Sequence, residues 1–120
     1  DAIVSDHRPS DPEEKELEFD LAHFGAPQLE TVFSALLTTK PAALNHFLPA
    51  LNNGPRKILA LPMHPIEIGA QAELTLFDPE LNHVFNMRPE QLRFSPFKDQ
   101  TLKGQILGVI RGAQATLVQD

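Results

Sequence analysis

Asp1-Ala2-Ile3-Val4-Ser5-Asp6-His7-Arg8-Pro9-Ser10 is the stretch whose reading decides the fold. Ala2, Ile3 and Val4 form a short apolar, partly β-branched run, too short for a helix and suited to a buried parallel strand. Ser5 to Pro9 end it, and Pro9 stops any continuation. Residues 8 to about 26 are polar, acidic and aperiodic, and a loop of that length in a compact domain is usually functional or disordered. Pro27 then opens a helix whose apolar face is Leu29, Val32, Phe33, Leu36 and Leu37, the i, i+3, i+4, i+7, i+8 stripe that packs on a sheet. In a (β/α)8 barrel, active-site groups stand at the C-terminal ends of strands, and Asp6 occupies that place. A carboxylate there can bind a metal or move a proton; the competing reading is a turn cap made by its side-chain oxygen. The chain enters this apolar run without an initiator methionine, so a piece of a longer chain is expected.

Working outward, Thr39 can cap a second helix with Pro41 at its first position and Leu44, Phe47, Leu48 and Leu51 on its face; Pro49 should kink or end it. Asn53-Gly54-Pro55 reads as a turn, followed by a short helical piece from Arg56 to Leu61. After Pro62 the period changes from helical to alternating. Ala72, Leu74 and Leu76 alternate with Glu73 and Thr75, a half-buried strand. Asp78-Pro79-Glu80 should turn the chain, with a further short strand from His83 to Asn86. Gln105–Ile110 and Ala115–Val118 read as two strands joined at Arg111-Gly112. The expected division is therefore residues 1–61, strand and helices, and residues 62–120, antiparallel β.

The 120 residues suffice for one core, and a hydrophobic content of 42% excludes a disordered chain. A net charge of −6 argues against nucleic acid or an anionic membrane as partner. Five acids and one lysine fall between Asp11 and Glu18, by default a solvated segment. The absence of cysteine excludes disulfides and thiolate metal sites and fits a cytoplasmic protein. No apolar run approaches the roughly 20 residues of a membrane span. No two histidines have the i, i+4 spacing of a helical zinc site. His46 reads as helix surface, and His23, His64 and His83 as loop residues; His7 reads as a packing or supporting group. There is no phosphate-binding glycine loop and no G-x-S-x-G elbow. Phe24 reads by default as a loop anchor, and Gly25, just before the helix, is a single glycine that by itself assigns no role.

Several segments, in order, resemble the dihydroorotase branch of the amidohydrolase superfamily. Val4-Ser5-Asp6-His7-Arg8-Pro9 is similar to the family's S/T-D-H-x-P-H at the end of barrel strand eight. Glu13-Glu14-Lys15 matches its loop, and Phe24-Gly25-Ala26-Pro27-Gln28-Leu29-Glu30-Thr31 is similar to F-G-x-x-G-x-E-T. Pro55-Arg56-Lys57-Ile58-Leu59 follows the pattern N-P-A-R-I. Ile68 to Pro79 is similar to the family's V-G-x-x-A-D-L stretch ending in D-P. Ser95-Pro96-Phe97, Leu102-Lys103-Gly104 and Val109-Ile110 complete the series.

The resemblance implies an α+β fragment: the last βα unit of a (β/α)8 amidohydrolase barrel, plus the C-terminal antiparallel strands of a small β-sandwich. It implies a parent that reversibly hydrolyses dihydroorotate to carbamoyl aspartate in pyrimidine biosynthesis, with zinc or another divalent metal as cofactor. Asp6 would bind metal and carry the proton; Phe24 and Gly25 would approach the substrate. The second histidine of the family motif, which helps bind the substrate carboxylate, is Ser10 here, able to donate a hydrogen bond but carrying no charge. A family glycine is Gln28, and a later one is Asp99. These departures leave two alternatives: a hydrolase of another cyclic amide or ureide such as allantoin, and a non-catalytic paralogue acting as scaffold or partner subunit. The family's other metal ligands are not in these residues, so the fragment alone is expected to bind no metal and to be inactive. Its unpaired strand and helix faces should drive homo-oligomerisation, strand exchange or other association, or leave residues 8 to 26 disordered.

Overall fold

The apolar repeat after Pro27 does become a helix, but one that starts late. The computed structural model describes residues 1–85 and 94–118. Helix α1 is a single turn, Pro12–Lys15, inside the long acidic loop. Helix α2 runs Val32–Thr39. Leu29, expected on its apolar face, lies in the preceding turn and is 64% exposed. The cause is a contact distant in the chain: the His7 imidazole Nδ1 accepts the backbone N–H groups of Gln28 and Leu29 at 3.1 and 3.0 Å. The chain there is held as a turn rather than as the first helical turn. Thr31 and Val32 then both donate to the Gln28 carbonyl, and the helix begins.

A 3-10 turn, Pro41–Ala43, precedes α3, Leu44–Leu51. Pro49 lies inside α3, which ends two residues later, as a ring without an N–H requires. Asn53-Gly54-Pro55 is not a free turn but the start of α4, Asn53–Ile58. Pro55 falls in its first turn, where a missing N–H costs nothing.

The strand expected at Ala2–Val4 is not formed. Ile3 donates its N–H to the Ala50 carbonyl at 2.9 Å, at the end of α3, and Val4 is 80% exposed. A strand exists only beside a partner, and among the described residues no strand lies alongside 2–4. What survives is one parallel bridge, His7 to Ala26.

The second half forms an antiparallel sheet in the order β1-β2-β3, with β1 Glu73–Val84, β2 Thr101–Arg111 and β3 Gln114–Leu117. Asp78-Pro79-Glu80 does not turn the chain back. β1 runs through it, paired from Glu73 with Arg111 to Val84 with Thr101, with register shifts at Leu76/Phe77 and Asp78/Asn82. The Asp78 Oδ1 accepts the N–H groups of Glu80 and Leu81 at 2.8 and 3.2 Å. Pro79 has no N–H to lose, so a bulge absorbs the three residues without breaking the strand. The separate strand expected from His83 is thus the end of β1, and His83 is a strand residue rather than a loop one; Asn86 lies outside the described residues. The simple alternation also fails. The shift at Leu76/Phe77 moves Phe77 to the covered face and leaves Leu76 40% exposed.

Helix α2 lies on β2, and this contact makes the core. Leu37 and Leu102 are almost fully buried, at 1% and 2% exposure. Gly104 has φ +86°, and a Cβ there would lie 2.3 Å from the Leu37 Cδ1. The helix can approach that closely only because the strand has no side chain at this point. Ser34 donates its hydroxyl to the Gly104 carbonyl. The Thr38 hydroxyl accepts the Lys103 N–H at 2.8 Å while donating to the Ser34 carbonyl at 2.7 Å. Phe33 meets Phe77 edge to face, ring centres 4.8 Å apart.

A second tie joins α4 to β1. The Arg56 Nη2 meets the Glu73 Oε2 at 2.8 Å, the Arg56 Nη1 donates to the Pro62 carbonyl at 2.7 Å, and the His64 Nε2 approaches the same Glu73 oxygen at 3.5 Å. The Arg56 hydrogen bond holds the Glu73 carboxyl below its ordinary 4.5; partial burial opposes this, and the His64 and Arg111 charges assist. On β1, burial pushes the His83 imidazole below its ordinary 6.5, and its Nδ1 is enclosed without a partner among the described residues.

Much apolar surface stays uncovered, including Phe19, Phe24, Ile66 and Ile68. The accessible surface is 8966 Å², against about 6,500 Å² for a self-contained monomer of this mass. The radius of gyration is 16.4 Å, against about 14 Å for a compact domain of this length.

Gly104→Ala should lower unfolding stability by about 2 kcal/mol or more, since it adds both a clash and a forbidden φ; a urea midpoint equal to that of the parent would refute the docking. Both shifted groups bind protons more readily when unfolded, so acidification destabilises the fold. The stability linked to His83 is present above 6.5 and lost as pH falls through its lowered folded value. That linked to Glu73 is present above 4.5 and lost as pH falls through its own lowered value. His83→Phe should flatten the first fall of urea midpoint with pH and Glu73→Gln the second. Unchanged profiles would show that neither group carries the dependence.

Candidate functional site

Asp6 has φ +46°, a left-handed conformation that few residues other than glycine adopt and that Asp tolerates better than most. It marks the point where the chain leaves its extended path and turns toward the loop. Its side chain is 71% exposed, and its Oδ1 lies 3.1 Å from the Arg8 Nε. The Arg8 N–H donates to the Ala26 carbonyl at 3.0 Å, next to the His7–Ala26 bridge. The segment carrying Asp6 is therefore stitched directly to the segment carrying Phe24 and Gly25, across about twenty residues of intervening loop.

Gly25 is required where it stands. Its φ is +112°, and a Cβ would lie 2.6 Å from the Arg8 Cβ and 3.2 Å from the Arg8 carbonyl oxygen. The glycine thus serves close backbone approach, the role that a lone Gly could not announce from sequence. Phe24 beside it is 90% exposed, so it is no loop anchor in this chain: it projects outward. Ser10 lies elsewhere in the loop, half-buried on a shallow concavity of about 210 Å³ shared with Pro9, Asp11 and Glu14. Asp6, Phe24 and Gly25 converge on one pair of segments; no hydrogen bond or ion pair joins Ser10 to them among the described residues.

Three residues shape this region beyond those singled out from sequence as its site. His7 supplies the Nδ1 acceptor that sets the turn at Gln28 and Leu29. Because Nδ1 accepts two N–H groups, the neutral ring carries its proton on Nε2. Lys15, at the end of α1, donates from Nζ to the His23 and Gly25 carbonyls. Glu14 accepts the Asp11 N–H at 3.3 Å and lies 3.5 Å from the His23 Nδ1. The acidic run is therefore partly a structural device rather than a plain solvated face, and residues 8–26 are hydrogen-bonded rather than without structure. Family glycine positions behave unequally: Asp99 takes a left-handed φ of +60° in an exposed loop, which an aspartate accommodates.

Chemically, the site offers one accessible carboxylate, a neighbouring guanidinium, and a backbone loop presenting an aromatic ring. Among the described residues, no group of three or more His, Asp or Glu side chains could hold a metal ion. Asp6 can supply one ligand to such a centre and these residues do not complete it. A larger cleft of about 580 Å³ opens between α2–α4 and the sheet. Its lining is largely apolar; Arg56 and His64 both meet Glu73 there, and Arg111 also lines it. No helix among the described residues is long and apolar enough to cross a membrane.

No protein-family model matches the chain. Curated relatives do. It is 34% identical over 119 residues to a dihydroorotase of Syntrophotalea carbinolica, covering 95% of this chain and 28% of that protein. It is 32% identical over 124 residues to the dihydroorotase of Pelotomaculum thermopropionicum, covering 98% and 29%. It is 35% identical over 118 residues to the dihydroorotase of Thermus aquaticus, covering 93% and 28%. The likeness extends over nearly the whole of this chain, through the Asp6 segment, the Phe24-Gly25 loop and the sheet alike, and the chain is similar to a segment spanning little more than a quarter of the length of these dihydroorotases.

Proposed function

We propose that this chain is the C-terminal portion of a metal-dependent cyclic amidohydrolase that converts dihydroorotate and carbamoyl aspartate into one another. The observation that carries the reading is the pairing of dihydroorotase likeness over 95% of the chain with an exposed Asp6 stitched to the Phe24-Gly25 loop. In this reading residues 1–61 are the end of a (β/α)8 barrel, and residues 62–120 are strands of a β-sandwich beside it. The uncovered apolar surface is then the face that meets the rest of the parent, or further copies of it. The setting is pyrimidine biosynthesis in the cytoplasm.

A divalent metal, zinc being the natural choice for histidine and carboxylate ligands, would polarise water and the amide carbonyl when bound. Asp6 would give that centre one carboxylate oxygen. Its own chemical work is to accept the proton of the attacking water and return it to the ring nitrogen as the C–N bond breaks. Phe24 and Gly25 would present backbone and ring to the substrate, and Ser10 a neutral donor.

The Asp6–Arg8 ion pair favours a second reading. A guanidinium already answers the carboxylate charge, and Ser10 offers no cation for an anionic substrate. Both would suit a non-catalytic subunit kept for its interfaces.

The full-length protein should retain a divalent metal and hydrolyse dihydroorotate, and Asp6→Asn should lower kcat by about a thousandfold. Metal-free, inactive full-length protein would establish the second reading, and turnover of allantoin instead would move the substrate. The 120-residue chain supplied with zinc should show no ring hydrolysis above background; hydrolysis there would show that Asp6 does not need the remaining ligands.

A further inference from the structure

Lys15 reaches from the end of α1 to a loop eight to ten residues ahead. Its ammonium takes the His23 and Gly25 carbonyls together. These two carbonyls bracket Phe24. A trans peptide is planar, with N–H opposite C=O, so pinning the His23 carbonyl also turns the Phe24 N–H away from the ammonium. Pinning the Gly25 carbonyl orients the Gly25–Ala26 peptide in the same way. Two planes held by one cation, on either side of the Phe24–Gly25 peptide, confine the loop around Phe24, which is 90% exposed.

The far side of the loop is held independently. The Arg8 N–H bonds the Ala26 carbonyl, and the His7 Nδ1 takes the Gln28 and Leu29 N–H groups. Gly25 is pressed against Arg8 with no room for a Cβ. The near side depends on α1, through Lys15 and through the bond from the His23 N–H to the Glu14 carbonyl. An exposed loop carrying an outward aromatic ring has little packing to order it, so its hydrogen bonds must do so. Bonds from a charged donor are the strong ones.

We infer that Lys15 is a positioning residue: its ammonium clamps the His23 and Gly25 carbonyls and so presents Phe24 and Gly25 to the cyclic amide. The substrate half of this inference rests on the proposed amidohydrolase reading; the clamp itself does not. Lys15→Met keeps the aliphatic stem and removes the charge and all three donors, and Lys15→Arg restores a cation. In the full-length protein, Lys15→Met should raise KM for dihydroorotate about tenfold as the loop loses its clamp, with kcat within about twofold. Chymotryptic cleavage after Phe24 should quicken by a similar factor, the melting temperature should hold, and Lys15→Arg should recover most of both effects. An unchanged KM in active enzyme overturns the inference, whatever the cleavage rate. So does a joint loss of KM, kcat and melting temperature that arginine fails to rescue, which would mark a general structural role. If the unsubstituted full-length protein does not hydrolyse dihydroorotate, the proposed function falls. Cleavage after Phe24 then judges the clamp alone: equal rates in Lys15→Met and parent refute it.

Discussion

The close approach of α2 to β2 at Gly104 is the contact on which the rest of this structure depends. Without a side chain at position 104, the Leu37 side chain can drop onto the strand, and the Ser34 and Thr38 hydroxyls reach its backbone. Leu37 and Leu102 are buried by it, and Phe33 finds Phe77. The helix so placed follows directly on the turn that His7 holds through the Gln28 and Leu29 N–H groups. The candidate site and the core are therefore linked through one short helix.

The site region is built from backbone contacts more than from side-chain packing. A single parallel bridge, one N–H to carbonyl bond from Arg8 and a lysine clamp do the work that a full strand pair would do in a larger sheet. Such a loop keeps its polar groups satisfied while leaving Asp6 and Phe24 open to solvent. It is well arranged for meeting a ligand and poorly covered for standing alone. The many exposed apolar residues say the same of the chain as a whole.

Several features were legible in the residues themselves. Asp6 at the end of an apolar run, the α2 stripe, the β2–β3 hairpin (its turn at Gly112-Ala113, one residue later than expected, since Arg111 still pairs with Gln114), and the ordered series of family motifs each depend on local composition and spacing. The misreadings share a different origin. Leu29 seemed to belong to the helix because periodicity cannot register a histidine arriving from twenty residues upstream. Asp78-Pro79-Glu80 has every mark of a turn, yet β2 continues alongside it and converts the interruption into a bulge. Ala2–Val4 has the composition of a strand and, among the described residues, no strand to pair with.

The sequence by itself determined the likeness to the dihydroorotases, the helix-then-sheet order and the carboxylate at the start, because these are written in local pattern and in motifs read in order. Only the tertiary structure decided that Gly104 is the docking point, that Gly25 is pressed on Arg8, that His7 sets a turn, and that Lys15 holds the loop. Each of these is a contact between residues distant in the chain, and no local pattern encodes a distance in space.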